Sequence, residues 1–180
     1  MARSDLKALI ERITRDVVRH YPKAVVLFGS AARYLKGRQT QAPEDIDLLY
    51  VGTMAPIGKK AYGIPMDLFF FETQEIVAIA RSLRYLPKAA ARAKMFFKDN
   101  WKGYVRADIA ACLLLGDRYP EYGFLQMETE EAYRDYAVHK VLHGADWWHA
   151  LQQYAQEHRG IRGLGIDKTL GQDRFSALCR

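Results

Sequence analysis

The sequence predicts an α/β (α+β) fold, a small sheet-bearing core followed by a helical bundle. Two observations carry that prediction. Three short apolar runs, Ala24 to Phe28, Ile46 to Val51 and Ile64 to Phe71, are bounded by turn-forming residues, as buried strands are. From Thr73 onward the pattern changes to helical spacing punctuated by Pro87, Gly103 and the stretch Gly116 to Gly123. The expected organisation is a core over residues 1–75, a helical bundle over 76–158 and a Gly-rich basic tail over 159–180.

The elements follow in order. Ser4 is suited to cap a first helix running to about His20, because Leu6, Leu9, Ile10, Ile13 and Val17 share one face and Pro22 stops it. The run Ala24 to Phe28 reads as a buried strand that turns through Gly29-Ser30 into a helix starting near Ala31. Residues from Lys36 to Pro43 are polar and include Gly37, hence a loop before the strand Ile46 to Val51. Gly52 to Gly63 forms a second loop, and Ile64 to Phe71 a third strand. Helices are then expected at about Gln74 to Tyr85, Lys88 to Asp99 and Val105 to Leu115, with a long one from Glu128 to His158. Gly160 to Gly171 reads as a loop or tail.

Composition narrows the class. The chain has 180 residues, 49% of them apolar and 27% charged, enough to bury a core, and it has no apolar run of the roughly 20 residues a membrane span needs. The N-terminus leads straight into an amphipathic pattern without a signal-peptide core, and Cys112 and Cys179 lie far apart, so a cytoplasmic protein is expected. A net charge of +6 suits a protein that meets polyphosphates.

The chemistry is concentrated in the first half. Alternation along a strand aims Asp45 and Asp47 to one side while Ile46 enters the core, and Asp67 can join them if its strand pairs with theirs. Three hard oxygen donors of this kind hold Mg²⁺ together with substrate phosphates. Gly29 permits close backbone approach at a helix N-terminus, Ser30 supplies a hydroxyl, and Arg33, one turn on, can neutralise phosphate charge. The arrangement fits phosphoryl or nucleotidyl transfer.

These residues carry a resemblance. Gly29-Ser30-Ala31-Ala32-Arg33, Asp45-Ile46-Asp47-Leu48 and Met66-Asp67-Leu68 resemble the G-S-x-A-R, D-x-D and single-Asp signatures of the DNA polymerase beta-like nucleotidyltransferase superfamily, nearest to its minimal nucleotidyltransferases. Tyr34 stands where that family usually has a glycine, and Gly37 comes later. The resemblance implies a mixed-sheet core and Mg²⁺-dependent transfer of a nucleoside monophosphate, by default AMP from ATP, to a hydroxyl of a protein or RNA acceptor, with pyrophosphate released. It implies two Mg²⁺ ions, with Mn²⁺ as an alternative, held by Asp45, Asp47 and Asp67, and it assigns Asp67 to the catalytic ion and the acceptor proton. A non-catalytic antitoxin or scaffold of the same fold is the competing expectation, and a homodimer or a toxin-antitoxin partner accompanies either.

The second half suggests further readings. Basic residues between Arg81 and Arg106 are interleaved with Tyr85, Phe96, Phe97, Trp101 and Tyr104, a mixture suited to packing on the acidic long helix, to RNA, or to an acidic protein partner or nucleotide; packing is preferred. Arg134 and His139 resemble the Arg-x4-His signature of HEPN ribonucleases, which would set His139 to acid-base work and Arg134 on phosphate. His139 and His143, one helical turn apart, are read as packing rather than as metal ligands, and Trp147 and Trp148 as anchors of the helix.

Overall fold

The computed structural model describes residues 1–53, 62–83, 109–116, 137–159, 174 and 176–180. The protein is α+β, with a four-stranded mixed sheet. By internal contacts the chain divides into one unit of Met1–Glu72 with Asp135–Trp148 and another of Thr73–Arg134 with His149–Arg180.

The first unit begins with helix α1, Arg3–Val18, whose Leu6, Ile10, Ile13 and Val17 are buried at the spacing of one helical face. Ser4 is not its cap. Ala2 holds that position, and the Asp5 carboxylate accepts from the Ala2 N–H at 3.3 Å while Ser4 Oγ donates to the same carboxylate. The helix closes two residues earlier than expected, in a turn where Tyr21 N–H donates to the Val18 carbonyl and Tyr21 takes φ +52° before Pro22.

Strand β1, Ala24–Phe28, is buried along its whole length because it lies inside the sheet, with order β3-β2-β1-β4. Helix α2, Gly29–Leu35, follows without a linker, two residues ahead of the expected start. Tyr34 is buried there; its hydroxyl donates to the Met1 carbonyl at 3.1 Å and the Arg3 guanidinium lies 5.1 Å from its ring centre. It ties the N-terminus onto α2.

Strand β2, Ile46–Val51, pairs antiparallel with β1, and β3, Met66–Phe71, pairs parallel with β2. Parallel neighbours need a crossover of about a dozen residues or more, which 52–65 supply, although most of that expected loop lies outside the described residues. Strand β3 starts after Pro65 rather than at Ile64, since proline has no N–H to give the ladder; its carbonyl accepts instead from Ile46 N–H at 3.0 Å. Against one face of the sheet, the apolar stripe of α1 meets Val25, Leu27, Ile46, Leu48 and Tyr50. Each such buried aliphatic contributes about 1.5 to 3 kcal/mol of apolar transfer.

The expected helix from Glu128 to His158 is corrected. Lys140–His143 form strand β4, paired antiparallel with β1 at the sheet's edge, and helix α4, Ala145–Arg159, starts only after Gly144. Gly144 adopts φ +70°, and a Cβ there would overlap the Lys23 carbonyl, so the chain breaks at a position only glycine fits. Trp148 is fully buried on α4, as an anchor should be, and Trp147 is half-buried.

In the second unit, α3, Thr73–Ser82, starts one residue before the expected Gln74, a 3-10 residue, Leu83, follows it, and the expected end at Tyr85 lies outside the described residues; residues 109–115 are helical. There Gln152 Nε2 donates to the Leu113 carbonyl at 3.0 Å and Arg174 pairs with Glu157. Residues 176–179 are helical, so the C-terminal end of the expected basic tail is ordered structure. The expected helix at 88–99, most of the basic aromatic segment, the acidic start of the long helix and the Gly160 to Gly171 stretch lie outside the described residues. Among the described residues no helix is long and apolar enough to cross a membrane.

Candidate metal centre

The site is a consequence of strand register. β1 and β2 run antiparallel with Phe28 opposite Asp47, so helix α2, which opens at Gly29 directly after β1, begins beside the Asp45–Asp47 end of β2. The Ser30 hydroxyl reaches Asp45 Oδ1 at 3.5 Å, a long bond. On the other side of β2, the parallel register puts Asp67 directly beside Asp47. Ile46 is fully buried between the two β2-side acids, as alternation requires. Carboxylate oxygens of Asp45, Asp47 and Asp67 therefore lie within 4.8 Å of one another, Asp67 exposed and the other two half-buried.

Three like charges at this separation oppose one another. Burial, followed by the charges of Asp45 and Asp67, raises the Asp47 pKa from 3.8 to about 7, against the opposing pull of Arg33. A cation held among the three carboxylates would offset that repulsion, and the oxygen-only donor set suits a hard divalent one such as Mg²⁺.

Gly29 serves a purpose the sequence did not reveal. It adopts φ +67°, and the position a Cβ would occupy is filled by Asp47 Oδ2. The glycine thus makes room for a carboxylate of the cluster, whatever it offers to a phosphate. Arg33 lies beside the cluster, and its Nε donates to Gln39 Oε1 at 3.1 Å while Gln39 Nε2 donates to the Gln41 carbonyl at 2.8 Å. Gln39 was missed by sequence reasoning, because a glutamine in a polar loop has no pattern to mark it.

All six expected site residues, Gly29, Ser30, Arg33, Asp45, Asp47 and Asp67, thus fall in one neighbourhood. The histidine readings fare differently. His139 is not helical: it precedes β4, with Nδ1 2.8 Å from the Ala137 carbonyl and its ring edge-on to Trp148. His143 lies on the strand, so the two are not a helical turn apart, and Arg134 lies outside the described residues. Among the described residues the only metal-competent acid or imidazole cluster is the aspartate one.

Fold and site together define an α+β protein with a three-carboxylate centre at the start of two paired strands. No family model, curated protein or solved structure matches the chain.

Proposed function

We propose that the protein is a Mg²⁺-dependent nucleotidyltransferase that moves a nucleoside monophosphate, by default AMP from ATP, onto a hydroxyl of a protein or RNA. The observation that carries this reading is the convergence of Asp45, Asp47 and Asp67 beside the Gly29-Ser30 turn. Asp45, Asp47 and Asp67 would hold the ions. Bound Mg²⁺ supplies charge for the attacking and leaving oxygens of an in-line displacement.

The chain's own groups divide the remaining work. The acceptor O–H attacks the α-phosphorus, the bond from that phosphorus to the bridging oxygen breaks, and pyrophosphate leaves. Asp67, the exposed member of the cluster, is accessible to an acceptor and takes its proton. Ser30 offers a hydroxyl, and the Arg33 guanidinium, steadied by Gln39, neutralises phosphate charge. Dependence on ATP goes with a cytoplasmic location.

Incubation of the protein with labelled NTPs, Mg²⁺ or Mn²⁺, and separate pools of RNA and lysate protein tests the reading. Label in one pool with matching pyrophosphate release, lost in Asp45→Ala and Asp47→Ala, is the expected result. Metal binding without label or pyrophosphate for any NTP would overturn transfer and leave a scaffold of the same fold.

A further inference from the structure

Away from the carboxylates, β4 and α1 enclose a cleft of about 460 Å³. Ile10, Leu35 and Leu142 give it an apolar lining; Lys7, Arg15 and Lys140 add three cations against the single acid Glu11. None of the three cations makes an ion pair or side-chain hydrogen bond among the described residues. A second cleft shares Thr14 and Arg15 and continues along α1 to Arg19 and Tyr21, whose side chain is 92% exposed.

One wall of the first cleft is the sheet's edge among the described residues. The register between β4 and β1 shifts between the pairs Val26–Val141 and Val25–His143, which leaves Leu142 out of the ladder, so β4 offers backbone partners beside the cleft. Val141 and Leu142 are only half-buried there. A helix flanking an open strand edge is a geometry in which an extended peptide can add a strand, with main-chain bonds supplying affinity and alternate side chains supplying choice.

We propose that this groove binds an extended, acidic and apolar segment of a partner protein, which adds to the sheet alongside β4. Charge selects the segment: its carboxylates meet Lys7, Arg15 and Lys140, while alternate apolar side chains enter between Ile10, Leu35 and Leu142. An anionic polymer without strand-forming backbone, such as RNA, would use the cations and leave the β4 edge idle. The inference is independent of the nucleotidyl-transfer reading.

The test uses the full chain and three labelled probes: a short peptide of alternating glutamate and valine, its lysine-valine counterpart, and a single-stranded oligouridylate. Binding of the glutamate-valine peptide is expected, with slowed amide exchange at residues 140–143. A Lys7→Glu and Arg15→Glu double variant, altered only at exposed positions and checked by its melt, should bind it about tenfold more weakly, since exposed ion pairs each contribute modestly. Four results would overturn the proposal: no binding of the glutamate-valine peptide, binding without protection of 140–143, equal affinity for the lysine peptide, or oligouridylate displacing the glutamate-valine peptide at comparable concentration.

Discussion

At the β2–β3 margin of the sheet, three carboxylates are driven within 4.8 Å of one another by backbone register, whereas at the β4 margin Lys7, Arg15 and Lys140 line an open cleft beside apolar side chains. The acids are held against burial and mutual repulsion, which together raise the pKa of Asp47; the cations are exposed. Concentrated charge of one sign, held by rigid elements, is an arrangement for an ion and for chemistry. Dispersed charge around an apolar floor is an arrangement for a surface. Removing a charged side chain at the first margin should therefore affect activity and stability in opposite directions, and removing one at the second should affect neither strongly.

The largest expected effect is the loss of the proposed transfer activity in Asp45→Ala or Asp47→Ala, by at least about 100-fold, the scale of removing a group that serves transition-state charge. Melting temperature of the metal-free protein above pH 7 should hold or rise in Asp47→Ala, because the repelled anion is gone. Assay and melt on the same preparation check both. Full turnover in either variant would erase the contrast between the two margins.

Next comes Gly29→Ala. Its left-handed φ and the overlap of a Cβ with Asp47 Oδ2 predict a loss of about 2 to 4 kcal/mol in denaturant unfolding, together with weaker Mg²⁺ binding. Gly144→Ala, at φ +70° against the Lys23 carbonyl, should destabilise comparably but spare Mg²⁺ affinity in the fraction that remains folded. The pair separates the backbone demands of the two margins.

A smaller effect is the pH dependence of stability. The folded protein binds the Asp47 proton more tightly than the unfolded chain, so in metal-free protein this group's contribution is greatest below pH 3.8 and falls as pH rises to about 7. Asp47→Asn should flatten that window. Mg²⁺, which favours the ionised carboxylate, should raise the melting temperature more at pH 8 than at pH 5; an equal rise at both would argue against binding at this cluster.

The smallest concerns the cationic flank. Tyr21 is almost wholly exposed at φ +52°, so Tyr21→Gly relieves backbone strain while losing little contact, and should gain roughly 0.5 to 1 kcal/mol in a denaturant melt. Transfer activity should not change.

Local pattern determined much of this protein. The α+β class, the three strands β1 to β3, the buried stripe of α1 and the common side of Asp45 and Asp47 all depend on periodicity and alternation, which short stretches of chain carry within themselves. Tertiary structure decided the rest. Residues 140–143 contain too short an apolar run to distinguish strand from helix, and only an open edge beside β1, with Gly144 to break the chain, made them β4. The adjacency of Asp67 and Asp47 needed the parallel register across residues 52–65. Gly29 could be recognised as part of a turn from its neighbours, but its necessity comes from Asp47, a residue far along the chain whose carboxylate occupies the space a side chain would take. Sequence specifies which conformations each stretch favours; which distant groups then compete for one volume, or one charge, is fixed only when the strands pair.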